Sequence, residues 1–112
     1  MSVSYEGIGY LAVTFPVKNS SANKLCKVNS QGQVENCSDG DHFCGYVVSV
    51  EKEYAAVQLE GFVKVSFTGT TPARGYTKLS ANNYGGVKVD TNGREYLVVE
   101  YSSADSTVTI KL

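Results

Sequence analysis

Three cysteines and one histidine are the residues whose types could do chemistry in this chain: Cys26, Cys37, His42 and Cys44. Zinc takes four nitrogen or sulfur ligands, so these four side chains could together hold a structural zinc ion. Their spacing matches no standard zinc motif, because the C-x-x-C knuckles are absent. The sequence therefore predicts no metal and no cofactor, although the fold could still bring the four ligands together.

The cysteine count also bears on the redox state. Three is an odd number, and the first residues of the chain lack the basic and apolar stretches of a secretory signal. Both observations favour free thiols in a reducing compartment over a disulfide framework.

A second candidate is the polar cluster of Asp39, Asp41 and His42 in a glycine-containing loop. It could be a general base or a metal corner, or simply a polar turn in which Asp and Gly serve the backbone geometry. The glycine-rich segment 69–75 is not a phosphate-binding loop, because Tyr76 stands where Lys and Ser or Thr are required. We favour the polar turn, predict no catalytic residues and expect a protein that is not an enzyme.

Charge and hydropathy narrow the choice of partners. The chain has 10 Lys and Arg against 11 Asp and Glu, which gives a formal net charge of −1, and its basic residues form no run. A near-neutral surface does not recruit nucleic acid or an anionic membrane. No stretch approaches the roughly 20 apolar residues of a membrane-spanning helix. We expect neither nucleic acid nor membrane as a partner.

The clearest structural signal is an alternation of apolar and polar residues over 55–67. A period of two predicts an extended strand with one face in a core and one in water. Gly61, in the middle, predicts a sharp bend such as a barrel corner. Phe62 is the one large apolar residue on the polar face, so we expect a loop or another chain to cover it, unless a bulge at Gly61 shifts the register.

The rest of the chain also has the pattern of short strands separated by turns. No window carries a helical period, so we predict an all-β fold of about nine short strands, a small barrel or sandwich with little or no helix. We detect no internal repeat, and we divide the chain into an N-terminal arm (1–9) and one domain (10–112). The predicted strands are 10–17, 25–28, 33–35, 43–50, 55–67, 76–79, 87–89, 95–101 and 107–112.

Three local expectations follow from these strands. The turn 29–32 should join the second and third strands as a hairpin. The Asn-Gly pair in 91–93 should pair 87–89 with 95–101, since Asn-Gly suits a tight turn. The near-continuous apolar run over 43–50 indicates a strand that is partly covered on both faces.

Aromatic composition suggests an interaction surface. The chain has eight tyrosines, four phenylalanines and no tryptophan. Tyrosine is enriched in interfaces, but it is also common in ordinary β-sheets. The interface candidates are Tyr5, Tyr10, Phe62, Tyr76 and Tyr84, of which Phe62, Tyr76 and Tyr84 could alternatively line a groove for a sugar or peptide.

Four segments together resemble small head-decoration (capsid cement) proteins of tailed phages and prophages. They are 45–48 (GYVV), 56–65 (AVQLEGFVKV), 75–79 (GYTKL) and 107–112 (TVTIKL). In that family a G-x-V strand leads to A-V-x-x-x-G-x-V, and the chain closes in a V-x-V/I-x-L strand. The likeness covers roughly residues 10–112.

The resemblance implies a non-enzymatic structural protein that binds the major capsid protein lattice and stabilises the head. It also implies a homo-oligomer, with a trimer as one possibility, located in the virion and, before assembly, in the cytoplasm of the bacterial host. The family contributes no catalytic residues, and the cysteines and His42 lie outside its pattern. The alternative is a β-sandwich binding module for a carbohydrate or a peptide.

Overall fold

The computed structural model describes residues 11–112, and this part of the chain is all-β, as predicted. It contains ten strands rather than about nine, and no helix is present among the described residues. The strands are β1 (Leu11–Asn19), β2 (Leu25–Val28), β3 (Val34–Asn36), β4 (Gly45–Glu51), β5 (Tyr54–Glu60), β6 (Phe62–Thr68), β7 (Gly75–Ala81), β8 (Val87–Val89), β9 (Arg94–Ser102) and β10 (Thr107–Lys111). The arm predicted over residues 1–9 lies outside the described residues.

The ten strands close into two small barrels. The first barrel has the strand order β1-β3-β2-β4-β5, and the second has the order β10-β6-β8-β7-β9. Gly61 stands between them with a φ of +103°, a conformation that residues with a side chain rarely adopt. The alternating segment 55–67 is therefore not one strand, because Gly61 separates β5 from β6. The predicted bend at Gly61 lies between two barrels instead of forming a corner within one.

Both barrels have the same connectivity. In each, the first strand pairs parallel with the third and antiparallel with the fifth, and the second strand pairs antiparallel with the third and the fourth. The fourth and fifth strands of each barrel form an antiparallel pair.

The register repeats as well. Val17 pairs with Val34 in the first barrel as Phe67 pairs with Val87 in the second. The chain is thus two copies of one five-stranded unit, a repeat that the sequence prediction missed.

One turn preserves the repeat at the level of sequence. Asn29-Ser30-Gln31-Gly32 joins β2 to β3, and Asn82-Asn83-Tyr84-Gly85 joins β7 to β8. In both, the Asn Oδ1 accepts two backbone N–H groups, at 2.9 and 3.0 Å in the first turn and at 2.8 and 2.9 Å in the second. Both glycines have positive φ, +78° and +83°. The shared motif is Asn-x-x-Gly-x-Val.

The two cores differ in size. The buried cluster of the first barrel comprises Cys26, Val34, Val47, Ala55 and Val57. By strand register, Leu79, Val108 and Ile110 take the places of Cys26, Ala55 and Val57 in the second barrel. Each buried CH2 contributes about 0.8 kcal/mol, so the second barrel has the stronger core.

Segment 37–44, between β3 and β4, packs on the second barrel. The Gly40 N–H donates to the Ala81 carbonyl at 2.8 Å, and the Ala81 N–H donates to the Asp41 carbonyl at 2.9 Å. The Phe43 ring stacks on Tyr96 with centroids 4.5 Å apart, and the Tyr96 hydroxyl donates to the Phe43 carbonyl at 3.0 Å. Phe43 is therefore buried and belongs to the core of the second barrel.

One predicted hairpin is confirmed and one is wrong. β2 and β3 pair across their turn as expected. β8 does not pair with β9; it lies between β7 and β6, and β9 pairs with the opposite edge of β7. The Asp90–Gly93 turn still forms, with the Gly93 N–H donating to the Asp90 carbonyl at 2.8 Å, but it carries the chain around the end of β7.

Candidate interaction surface

The junction between the barrels is held by a side-chain amide. The Gln58 Nε2 group donates to the carbonyls of Glu60 and Phe62, both at 3.1 Å. These two carbonyls flank Gly61, and Gln58 is only 8% exposed. A single nearly buried amide thus fixes the point where one barrel passes into the other.

Phe62 lies immediately beyond this junction, at the start of β6. Burial alternates along β6, and Phe62 falls on the side opposite the inward residues, where it is half-buried. It pairs with Lys111 in the ladder to β10. The structure thus places Phe62 on the outward face of the second barrel. The inward residues of β6 are Val63, Val65 and Phe67.

Tyr76 and Tyr84 are both 73% exposed. Tyr76 is on β7, and Tyr84 is in the turn between β7 and β8. Because β8 separates β6 from β7 in the sheet, Phe62 and Tyr76 are not on adjacent strands. The three aromatic candidates therefore lie on separate elements, while Tyr5 and Tyr10 lie outside the described residues.

The sequence prediction missed a group of exposed apolar residues on the first barrel, here called the first-barrel apolar set. Its members come from β1, β4 and β5, and they are 36–56% exposed. The run over 43–50 is not covered on both faces, because Val47 is buried while Val48 and Val50 are exposed. The set comprises Leu11, Val13, Val48, Val50 and Tyr54.

The repeat shows that exposure at one of these positions is not a property of the fold. Val13 pairs with Val57 in the first barrel as Val63 pairs with Ile110 in the second. Val63 is 5% exposed, whereas Val13 is 36% exposed. The same position is buried in the second barrel and partly exposed in the first, so Val13 offers apolar surface that a contact could bury.

The polar residues of segment 37–44 have separate partners. The Asp41 carboxylate lies 2.6 Å from Lys27 Nζ, the Asp39 carboxylate lies 2.8 Å from Lys88 Nζ, and His42 Nε2 lies 3.1 Å from the Asn92 carbonyl. The Lys27 hydrogen bond lowers the pKa of Asp41. These contacts attach the segment to three other parts of the chain, which is a structural role.

Among residues 11–112, no group of three or more His, Cys, Asp or Glu side chains is arranged to hold a metal ion. The described part of the chain also contains no helix that could span a membrane.

The cysteines are free thiols with contrasting surroundings. Cys26 is buried, Cys37 is half-buried and Cys44 is exposed. The Cys44 N–H donates to the Cys26 carbonyl at 2.9 Å. The Cys26 thiol also donates a hydrogen bond to the Cys44 sulfur, which lowers the pKa of Cys44 to about 7 and raises the pKa of Cys26. Burial raises the pKa of Cys37 to about 12.

A shallow polar groove runs over β6, β10 and β9 of the second barrel. The Arg74 guanidinium lies over the Tyr101 ring, 4.8 Å from its centroid, in a cation–π contact. Lys64 and Glu100 place both signs of charge beside this pair. Ser102, Thr107 and Thr109 complete the lining.

In comparisons with known proteins, the chain matches no protein-family model, no curated protein and no solved structure.

Proposed function

We propose that this chain is a non-enzymatic structural protein of a phage or prophage that binds the major capsid protein lattice and stabilises the head. The resemblance to head-decoration proteins supports the proposal, and its segments fall on strands of both barrels (45–48, 56–65, 75–79 and 107–112). The protein acts as a homo-oligomer, for which a trimer is one possibility. It is made in the cytoplasm of the bacterial host and resides in the virion.

The observation that carries the proposal is the contrast between Val13 and Val63. A fold that buries this position in the second barrel leaves it open in the first, where Val48 and Val50 are exposed as well. Fully burying an exposed side chain of this kind contributes roughly 1.5–3 kcal/mol, and Val13, Val48 and Val50 are already more than half buried. Covering what remains exposed against a capsid subunit or a second copy of the chain would therefore contribute roughly 0.5–1.3 kcal/mol per residue.

The charge balance fits binding to a fixed lattice. A net charge of −1 gives no strong electrostatic field, so affinity would come from short-range contacts and would depend only weakly on salt. Modest affinity per copy is sufficient on a symmetric shell, because many copies act together.

The test is sedimentation of the purified protein with expanded heads of the phage or prophage that encodes it, with free capsid subunits as the comparison. The double variant Val48→Thr, Val50→Thr keeps side-chain volume and β-propensity but makes the apolar set more polar. Its matched control is Val89→Thr, since Val89 is 38% exposed on the second barrel. We expect the double variant to bind heads at least about tenfold more weakly and the control to bind like the original protein.

Equal binding by both variants, or binding to free subunits as strong as to heads, would contradict the proposal. Phe62→Ser adds a second arm. It should leave the circular dichroism spectrum unchanged and weaken head binding or self-association, the latter measured by light scattering. Loss of the folded spectrum would instead place Phe62 in the core.

The polar groove favours a second candidate, a carbohydrate or peptide binding module. An Arg–Tyr stack beside hydroxyls and both signs of charge suits a polar ligand. A glycan array discriminates between the two functions. Glycan binding that Tyr101→Ala abolishes, together with a failure of the protein to sediment with heads, would favour the carbohydrate or peptide binding module.

A further inference from the structure

We propose that Cys44 and Cys26 form an oxidisable thiol pair, in which Cys44 reacts with a peroxide and Cys26 then closes a disulfide between β2 and the start of β4. The inference is independent of the proposed function, since it depends only on the chemistry of the two thiols. It assigns Cys44 as a modification site and hydrogen peroxide as its co-reactant.

The first argument is geometric. Cys26 pairs with Gly45 in the ladder between β2 and β4, so Cys44 lies one residue before the paired position. The backbones of the two cysteines are joined by the 2.9 Å hydrogen bond from the Cys44 N–H to the Cys26 carbonyl. The two thiols also lie close enough that each shifts the pKa of the other.

The second argument is the division of roles between the two residues. Cys44 is exposed, so a small oxidant can reach it, whereas Cys26 is buried and can meet only its neighbours. The hydrogen bond from Cys26 lowers the pKa of Cys44 to about 7, which enlarges its thiolate fraction at neutral pH. An exposed, low-pKa thiol next to a second cysteine is the arrangement found in redox-sensitive sites.

The reaction balances in two steps. The Cys44 thiolate attacks one oxygen of the peroxide, the O–O bond breaks, and the other oxygen leaves as hydroxide, or as water after taking up a proton. The product is the sulfenic acid of Cys44. The Cys26 sulfur then attacks the Cys44 sulfur, the S–O bond breaks, and the oxygen leaves as water with the Cys26 proton. Two thiols are oxidised to one disulfide and the peroxide is reduced to two waters.

The disulfide would close a loop that contains segment 37–44, the part of the first barrel that binds the second. That segment carries the Gly40–Ala81 hydrogen bond, the Asp39–Lys88 ion pair and the Phe43–Tyr96 stack. A crosslink across a loop of this size restricts the unfolded chain, so we expect oxidation to raise the Tm by roughly 10 °C.

The test treats the reduced full chain with hydrogen peroxide at neutral pH, followed by peptide mapping and thermal unfolding. We expect a linked peptide pair joining Cys26 to Cys44, a mass lower by two hydrogen atoms and the higher Tm. Cys37→Ser is the matched control and should behave identically, because Cys37 is half-buried with a raised pKa. Cys44→Ser should abolish rapid oxidation.

Cys26→Ala should stop the reaction at a sulfenic acid on Cys44, which dimedone traps. Since Cys26 is buried and this variant could fail to fold, the mapping of the unsubstituted protein decides the question by itself. A persistent sulfenic acid on Cys44, a link to Cys37, or crosslinks only between chains would overturn the proposal.

Discussion

The two equivalent asparagines make the repeat testable by a matched pair of substitutions, Asn82→Ala and Asn29→Ala. Asn82 is 2% exposed, and its side chain makes four hydrogen bonds. Two of them, from the Gly86 N–H and to the Val87 carbonyl, are fully buried. Asn29 holds its own turn in the same way but is half-buried, so water can replace its lost partners.

The magnitudes follow from this difference in burial. A buried backbone group left without a partner costs about 1–3 kcal/mol, whereas an exposed one costs much less. We expect Asn82→Ala to lower the free energy of unfolding by about 3 kcal/mol and Asn29→Ala to lower it by about 1 kcal/mol. For a chain of this size the former corresponds to a Tm lower by roughly 10 °C.

The assay is urea unfolding of both variants beside the original protein, with the slope of free energy against urea as the check on a two-state transition. We predict that Asn82→Ala lowers the free energy of unfolding more than Asn29→Ala does, and that both lower it more than an ordinary surface substitution. That result would support two copies of one turn, one buried and one half-buried. Equal losses, or a larger loss for Asn29→Ala, would refute the reasoning from burial.

Three further predictions concern stability. Gly86→Ala should cost more than about 2 kcal/mol in urea unfolding, because a Cβ there would collide with the Ser66 backbone, whereas Gln33→Ala at the equivalent position should be nearly neutral; similar costs would contradict this. Gln58→Leu should lower the free energy of unfolding by about 1–3 kcal/mol, because it removes the hydrogen bonds from the buried amide to the Glu60 and Phe62 carbonyls, and a neutral result would show that the amide does not hold the junction. Because the pKa of Asp41 is lowered in the folded state, its contribution to stability is present above its unfolded pKa of about 3.8 and is lost as pH falls through the folded value. Asp41→Asn should therefore reduce the fall of the urea midpoint at acidic pH. An unchanged fall would contradict the contribution of Asp41 to stability.

The strands were predictable because burial on one face of a sheet imposes a period of two, which is clear over 55–67. The division into two barrels was not, since Gly61 has the same appearance in sequence whether it bends a strand or ends one. The repeat was hidden in the sequence because the two copies share strand register and backbone but not core residues. Equivalent positions hold Cys26 and Leu79 in one case, and Ala55 and Val108 in another. Only Asn-x-x-Gly-x-Val survives as a local sequence signal.

Long-range pairing explains the wrong hairpin. The Asn-Gly turn before β9 forms, but β8 pairs with β7 across the turn that begins at Asn82. β9 pairs with the other edge of β7, which no local pattern specifies. The turn over residues 90–93 forms, but the hairpin that the Asn-Gly pair predicted does not, because β8 and β9 pair with opposite edges of β7 in the closed barrel.

The exposed apolar residues were predicted only in part. Tyr76 and Tyr84 are exposed, but aliphatic residues on the first barrel had been assigned to a covered strand. Apolar runs in a sequence do not show which of their residues the fold buries and which it leaves exposed. Comparison of the two copies of the fold shows this difference at Val13 and Val63.

The most direct test of the proposed function is the copy number of this protein in purified heads of the phage or prophage that encodes it, measured by quantitative mass spectrometry against the major capsid protein. Binding to equivalent sites of the lattice predicts a fixed ratio to the capsid protein that is the same from one preparation to the next. Absence from the heads, or a small and variable amount that washing removes, would contradict it.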